Sequence, residues 1–119
     1  MFSPGSAYFP HEKLRAYQLA RKMVQFVAAR RNRLRGLPGN AGPQLERAVV
    51  GTQTNLCSGA AAEGADRRRQ FRVALTEASE AGGCIDTALD FGALSKAEYG
   101  EARTTLLELC ACLYGLSHG

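Results

Sequence analysis

With 119 residues, 45% of them hydrophobic and 22% charged, the chain has ordinary globular composition and room for one domain. That excludes a multidomain enzyme and a disordered chain. The formal net charge is +4, and no apolar run approaches the roughly 18 residues a spanning helix requires, so no membrane partner is expected. Met1 to Pro10 lacks a basic stretch followed by an apolar one and does not read as a secretory leader.

The first predicted helix runs from His11 to Arg35, a stretch free of Gly and Pro. Leu14, Tyr17, Ala20, Val24, Val27 and Leu34 recur on one face, and Met23 and Phe26 widen it. A helix of about 25 residues would be roughly 37 Å long. The breakers from Gly36 to Gly42 end it, and Pro43 suits the first turn of a second helix. The second seam is Leu45, Val49, Thr52, Leu56 and Gly59, ending near Glu63-Gly64.

Asp66 is the expected N-cap of a third helix, with a seam of Phe71, Leu75, Ala78, Gly82, Ile85 and Leu89. Gly82-Gly83 would cost about 2 kcal/mol against two alanines, which implies either a close helix approach or a local bend. Gly92 closes this helix at C′. Ser95-Lys96-Ala97-Glu98 is a capping box that opens a fourth helix, with Tyr99, Ala102, Leu106, Leu109, Leu113 and Leu116 as its seam. No segment alternates with period two. The expected fold is an all-α, antiparallel up-down-up-down four-helix bundle over residues 11–116, with a flexible segment at 1–10 and a tail at 117–119. Many seam residues are small (Ala60, Ala61, Ala62, Ala74, Ala78, Ala81, Ala88), so each chain buries little apolar area. Self-association is therefore expected, with the wide apolar face of the first helix as the contact surface.

Charge is distributed unevenly: residues 1–47 carry +7, residues 48–72 carry +2 and residues 73–119 carry −5. Such halves attract each other within or between subunits, or the basic half faces a polyanion. Arg30, Arg31, Arg33 and Arg35 cluster where the first helix ends, where cations complement the helix dipole and could also meet phosphate. Arg67, Arg68 and Arg69 open the third helix, where cations oppose the dipole, so an anionic partner or a carboxylate of another subunit is the more attractive account. In an antiparallel bundle the two clusters lie at opposite ends.

Nothing in the sequence reads as catalytic machinery, and no enzyme activity is expected. The carboxylates Glu77, Glu80, Asp86 and Asp90 have no Glu-x-x-His partner for a di-metal site. Cys57, Cys84, Cys110 and Cys112 lack zinc-ligand spacing, and His11 and His118 sit at the chain ends. The thiols are read as small buried groups in a reducing cytoplasm. No cofactor or metal is expected. Asn55 reads as a register-setting polar group within a seam. Aromatic residues suited to base stacking are few, with Tyr8 and Phe9 ahead of the first helix, so nucleic-acid binding would be directed at the backbone.

Several segments resemble the small helical-bundle proteins encoded in intervening sequences of bacterial 23S rRNA genes. Leu14-Arg15-Ala16-Tyr17-Gln18-Leu19-Ala20 is similar to that family's Leu-x-Val-Tyr-x-x-Ala opening, and Gln44-Leu45-Glu46-Arg47-Ala48 to its Gln-Leu-x-Arg-Ala segment. Asn55-Leu56-Cys57-Ser58-Gly59 resembles its Asn-Ile-Ala-Glu-Gly signature, with Ser58 in place of Glu. Phe71-Arg72-Val73-Ala74-Leu75 resembles its Tyr/Phe-Arg-Ile-Ala run, and Thr76-Glu77 stand where Gly-Ser is usual. The resemblance implies a ring-like homopentamer. In a related group, the accessory variability proteins of diversity-generating retroelements, it implies binding to a reverse transcriptase and its RNA through a basic surface. The resulting expectation is a cytoplasmic, bacterial, non-catalytic accessory protein. It would bind RNA or DNA through Arg30, Arg31, Arg33, Arg35, Arg67, Arg68 and Arg69. The rival expectation is a protein-binding assembly subunit without nucleic acid, and a weaker third is a small-molecule or metal-binding bundle.

Overall fold

The computed structural model describes residues 3–119, and among them every regular element is helical. A 3-10 turn at Pro10–Lys13 leads into α1 (Arg15–Ala29) and the one-turn α2 (Arg31–Leu34). A second 3-10 turn, Pro38–Asn40, precedes α3 (Ala41–Ala61), which is followed by α4 (Gly64–Asp90) and α5 (Lys96–His118). The molecule measures 46 × 27 × 22 Å. Its longest helix is α4, whose 27 residues span about 40 Å at 1.5 Å each. α1 packs on α3 and α5, α3 on α4, and α4 on α5, closing a cycle around one core. Arg15 at the start of α1 meets Glu108 in the second half of α5, and Arg30 just past its end meets Glu98 in the first turn of α5.

The first predicted helix is interrupted twice. Leu14 is extended (φ −88°, ψ 131°), so α1 begins at Arg15 instead of His11. Arg30 leaves helical geometry (φ −114°, ψ 14°), and its N–H bonds the Val27 carbonyl. The break turns α2 so that Leu34 enters the core at 1% exposure. There the backbone of Gly42 lies so close to the Leu34 carbonyl that a Cβ would clash with it.

The buried face of α1 is Ala16, Leu19, Ala20, Met23, Phe26 and Val27, while Leu14, Tyr17 and Val24 are half-buried at its border. These side chains fill the chain's own core, so the apolar face of this helix is not the open contact surface expected from its width. The seam of α3 is buried as expected through Leu45, Val49, Thr52, Leu56 and Gly59. That of α4 is more alanine-rich than its spacing implied. Phe71, Ala74, Ala78, Ala81, Ile85 and Ala88 are buried, and Leu75 and Leu89 are only half-buried. Ala61 and Ala62 lie off the seam, at and just past the end of α3.

The N-cap of α4 is Glu63, so Asp66 falls inside the first turn, where a carboxylate also suits the helix dipole. Gly92 (φ +74°) ends α4 at the expected place. The capping box at α5 is formed: Ser95 Oγ accepts from the Glu98 N–H at 3.1 Å, and Glu98 Oε1 accepts from the Ser95 N–H at 2.9 Å. Gly82 and Gly83 mark no close approach, since a Cβ on either would meet nothing within 4 Å, and α4 runs through them unbroken. They open grooves instead, Gly82 between α4 and α5 and Gly83 between α3 and α4. The close approach of α3 to α4 is at Gly59, against the Phe71 ring.

Candidate nucleic-acid interface

The two arginine clusters lie towards the two ends of α3, with Arg31 pairing to Glu46 near its start and Arg67 reaching the Gly59 carbonyl near its end, and most of their members have partners. At the α1–α2 junction, Arg30 Nε donates to Glu98 Oε2 at 2.7 Å and Nη1 to the Phe26 carbonyl at 3.1 Å. Its guanidinium lies 3.8 Å from the centre of the Phe26 ring. Arg33 donates to both Glu98 oxygens, at 2.9 and 2.6 Å, and to the Ala93 carbonyl at 3.3 Å. Arg31 forms a two-bond pair with Glu46 at 2.6 and 3.3 Å. Arg35 is exposed and has no ion-pair partner among the described residues.

Glu98 joins these elements. Its carboxylate accepts from Arg33, the Ser95 N–H and Arg30, which together hold its pKa well below the usual carboxylate range. The same partnership raises the pKa of Arg33. The capping box visible in the sequence therefore doubles as the anchor for two arginines 68 and 65 positions away.

At the other end, Arg67 is a structural residue. Its Nη1 donates to the carbonyls of Gly59 and Ala60 at 3.2 and 3.1 Å, and its guanidinium lies 4.9 Å from the centre of the Phe71 ring. It thus ties the start of α4 to C-terminal carbonyls of α3, where the Gly59 carbonyl also accepts from the Ala62 N–H, a role that sequence spacing gives no hint of. Arg69 pairs with Asp66 at 3.1 Å, both well exposed, a kind of contact that contributes little. Arg68 is exposed with no ion-pair partner among the described residues.

Other cations escaped the sequence reading. Arg21 and Lys22 on α1, Arg47 on α3 and Arg72 on α4 are all exposed and without a carboxylate partner among the described residues. They are spread over three helices as one adjacent pair and two single residues, whereas the sequence reading followed longer clusters. The exposed cations without a carboxylate partner among the described residues are therefore Lys13, Arg21, Lys22, Arg35, Arg47, Arg68, Arg72, Lys96 and Arg103, a wider set than the runs 30–35 and 67–69.

Asn55 does not set register across helices. It is half-buried, and its Nδ2 donates to the Gly51 carbonyl of its own helix at 2.8 Å. The four cysteines are free and half-buried. Burial raises the pKa of Cys57, Cys84 and Cys110, with Glu80 adding to the effect at Cys84. Among the described residues, the large apolar side chains left exposed are Val50 on α3, Phe91 after α4, Leu107 and Tyr114 one heptad apart on α5, and Tyr8 and Phe9. No helix of the described residues is long and apolar enough to cross a membrane.

The sequence matches no protein-family model, and no curated protein is similar to it. Among solved structures, the fold is similar to the crystal structure of a protein of unknown function from the S23 ribosomal protein family of Bacteroides thetaiotaomicron. The TM-score is 0.78 over 87% of this chain and 99% of that one, at 14% identity. At that identity the likeness is one of helical fold.

Proposed function

We propose that this chain is a non-catalytic, self-associating helical-bundle protein that binds the phosphate backbone of RNA or DNA, as an accessory to a nucleic-acid enzyme such as a reverse transcriptase. The observation that supports it best is Arg68. It is exposed in the second turn of α4, without an ion-pair partner among the described residues. A phosphate would supply the counter-charge that no carboxylate among the described residues gives it. Arg21, Lys22, Arg35, Arg47 and Arg72 extend the cationic surface. The paired arginines Arg30, Arg31, Arg33 and Arg69 could add to it only by exchanging carboxylate for phosphate.

The finer architecture belongs to the same reading: four main helices running up-down-up-down, assembled as a ring-like pentamer in a bacterial cytoplasm. The exposed Leu107 and Tyr114 on α5 are the contact surface we assign to that assembly, in place of the first helix. Light scattering of the purified protein gives the subunit count.

The test of binding is a salt titration with labelled RNA and DNA. The affinity should fall with a log–log slope of about −0.9 per phosphate contact on duplex DNA. No binding at low salt would remove this reading. The rival, an assembly subunit without nucleic acid, is favoured by one observation. The outer side of α4 carries Arg69 and Arg72 towards its start and Glu80 and Asp90 towards its end, a pattern complementary to itself between copies. It would be supported if charge reversal at Arg69 and Arg72 dissociated the oligomer while the wild type bound no nucleic acid.

A further inference from the structure

The N-terminal turns hold two aromatic rings in the open. Tyr8 is 54% and Phe9 60% exposed, whereas Phe26 and Phe71 are 6% and 0% exposed. Local hydrogen bonds shape the turn that carries them. Ser6 Oγ accepts from the Tyr8 N–H at 3.2 Å and donates to the Tyr8 carbonyl at 3.1 Å. Glu12 Oε1 accepts from the Phe9 N–H at 3.0 Å. The Phe9 ring stacks on His11, with 5.6 Å between centres and 6° between planes, and His11 in turn leans on Tyr17 of α1 at 4.5 Å. Ser6 and Glu12 thus shape the turn around the two rings by local bonds, while Met1 and Phe2 lie outside the described residues.

These rings line a cleft of about 250 Å³ between the N-terminal turns and the α3–α4 junction, together with Ser6, Lys13 and Arg67. Lys13 Nζ lies 4.8 Å from the centre of the Tyr8 ring and has no carboxylate partner among the described residues. Arg67 is fixed at the cleft by the carbonyls it caps. Aromatic faces beside fixed cations, in a mainly polar surround, suit a ligand that is flat and apolar on one part and anionic on another. A lipid chain or an apolar helix would leave the cations and hydroxyls unmatched. The volume lies just below the ~300 Å³ where pockets for larger ligands begin, room for one nucleotide unit.

We infer that this cleft holds one unpaired nucleotide of a single strand, its base stacked on Tyr8 or Phe9 and its phosphate against Lys13. The inference rests on the nucleic-acid reading above and deepens it. The protein would distinguish single strands from duplexes, because only an unpaired base offers its face. Stacking of this kind is sequence-tolerant, so the preference is for strandedness and not for a particular base.

The test measures fluorescence anisotropy of short labelled oligo-U RNA, oligo-dT DNA and a blunt RNA duplex of equal phosphate count. The proteins compared are the wild type, Tyr8→Ala/Phe9→Ala, Tyr8→Leu/Phe9→Leu and Arg68→Ala. The wild type should prefer the single strands. Both aromatic double variants should lose about 5- to 100-fold in single-strand affinity while keeping duplex affinity and their melting temperature. The leucine pair keeps most of the apolar area, so its loss reports stacking. Arg68→Ala should weaken all three probes alike. Equal loss on RNA and DNA supports a base-stacking site common to both, and a larger loss on RNA supports one that also reads the ribose. Unchanged single-strand binding by the aromatic variants, or no preference for single strands in a wild type that binds duplex, overturns this inference alone. Failure of every probe to bind overturns the nucleic-acid reading with it.

Discussion

A Cβ built on Gly59 would lie 2.9 Å from both Cδ1 and Cε1 of the Phe71 ring, so α3 and α4 meet at a point where no side chain fits between backbone and ring. Phe71 is fully buried there, with Arg67 stacked against it from the preceding turn. The glycine that ends the Asn55–Gly59 segment is therefore a packing requirement of this helix pair. Gly59→Ala should destabilise the protein by about 1–3 kcal/mol, the usual range for overpacking a core. Denaturant unfolding checks this.

Gly82 and Gly83 should respond in the opposite direction. A methyl group added at either position would meet nothing within 4 Å beyond the backbone of its own helix turn and its chain neighbours, and both lie inside an unbroken helix. Gly82→Ala and Gly83→Ala should each stabilise by about 0.5–1 kcal/mol through helix propensity and a less free unfolded chain. A loss of stability in either would mean that the grooves beside α4 are occupied in the assembled protein.

Glu98 makes stability depend on acid. Its carboxyl titrates lower in the folded chain, held by Arg33, the Ser95 N–H and Arg30, than in the unfolded one, where it titrates at about 4.3. The unfolded state therefore takes up the proton first, and stability rises with pH through this range. The contribution is complete above the unfolded value and is lost as pH falls through the folded one. Glu98→Gln should lower the melting temperature at pH 7, and its gap to the wild type should narrow below about pH 4. A gap that stays constant on acidification would show that the charge on Glu98 plays no part.

Neighbouring arginines should separate fold from binding. Arg67→Ala removes the bonds to Gly59 and Ala60 and should cost about 1–2 kcal/mol of stability. Arg68→Ala breaks no ion pair among the described residues and should change stability by less than about 0.5 kcal/mol, while weakening RNA binding and making the salt slope shallower. Melting curves and salt titrations of the two variants provide the comparison.

Self-association should depend on α5. Leu107 and Tyr114 are 57% and 58% exposed and one heptad apart, and replacing both by Glu should convert an oligomer to monomers without unfolding them. Light scattering and circular dichroism together read this out.

The helices were legible in the residue pattern because their causes are local. Apolar spacing, the Ser95–Glu98 box and the stop at Gly92 act over a few residues and survived into the structure almost unchanged. The break at Arg30 was not legible, since no glycine or proline marks it and its setting is tertiary: Leu34 in the core and Glu98 across the bundle. The candidate site was legible only as a count of positive charges. Whether an arginine is available or already satisfied depends on which carboxylate or carbonyl the packing brings within about 3 Å. Those partners lie up to 68 positions away for Arg30 and 8 for Arg67. Charge is a property of composition, whereas its neutralisation is a property of distance, and distance exists only once the helices have packed.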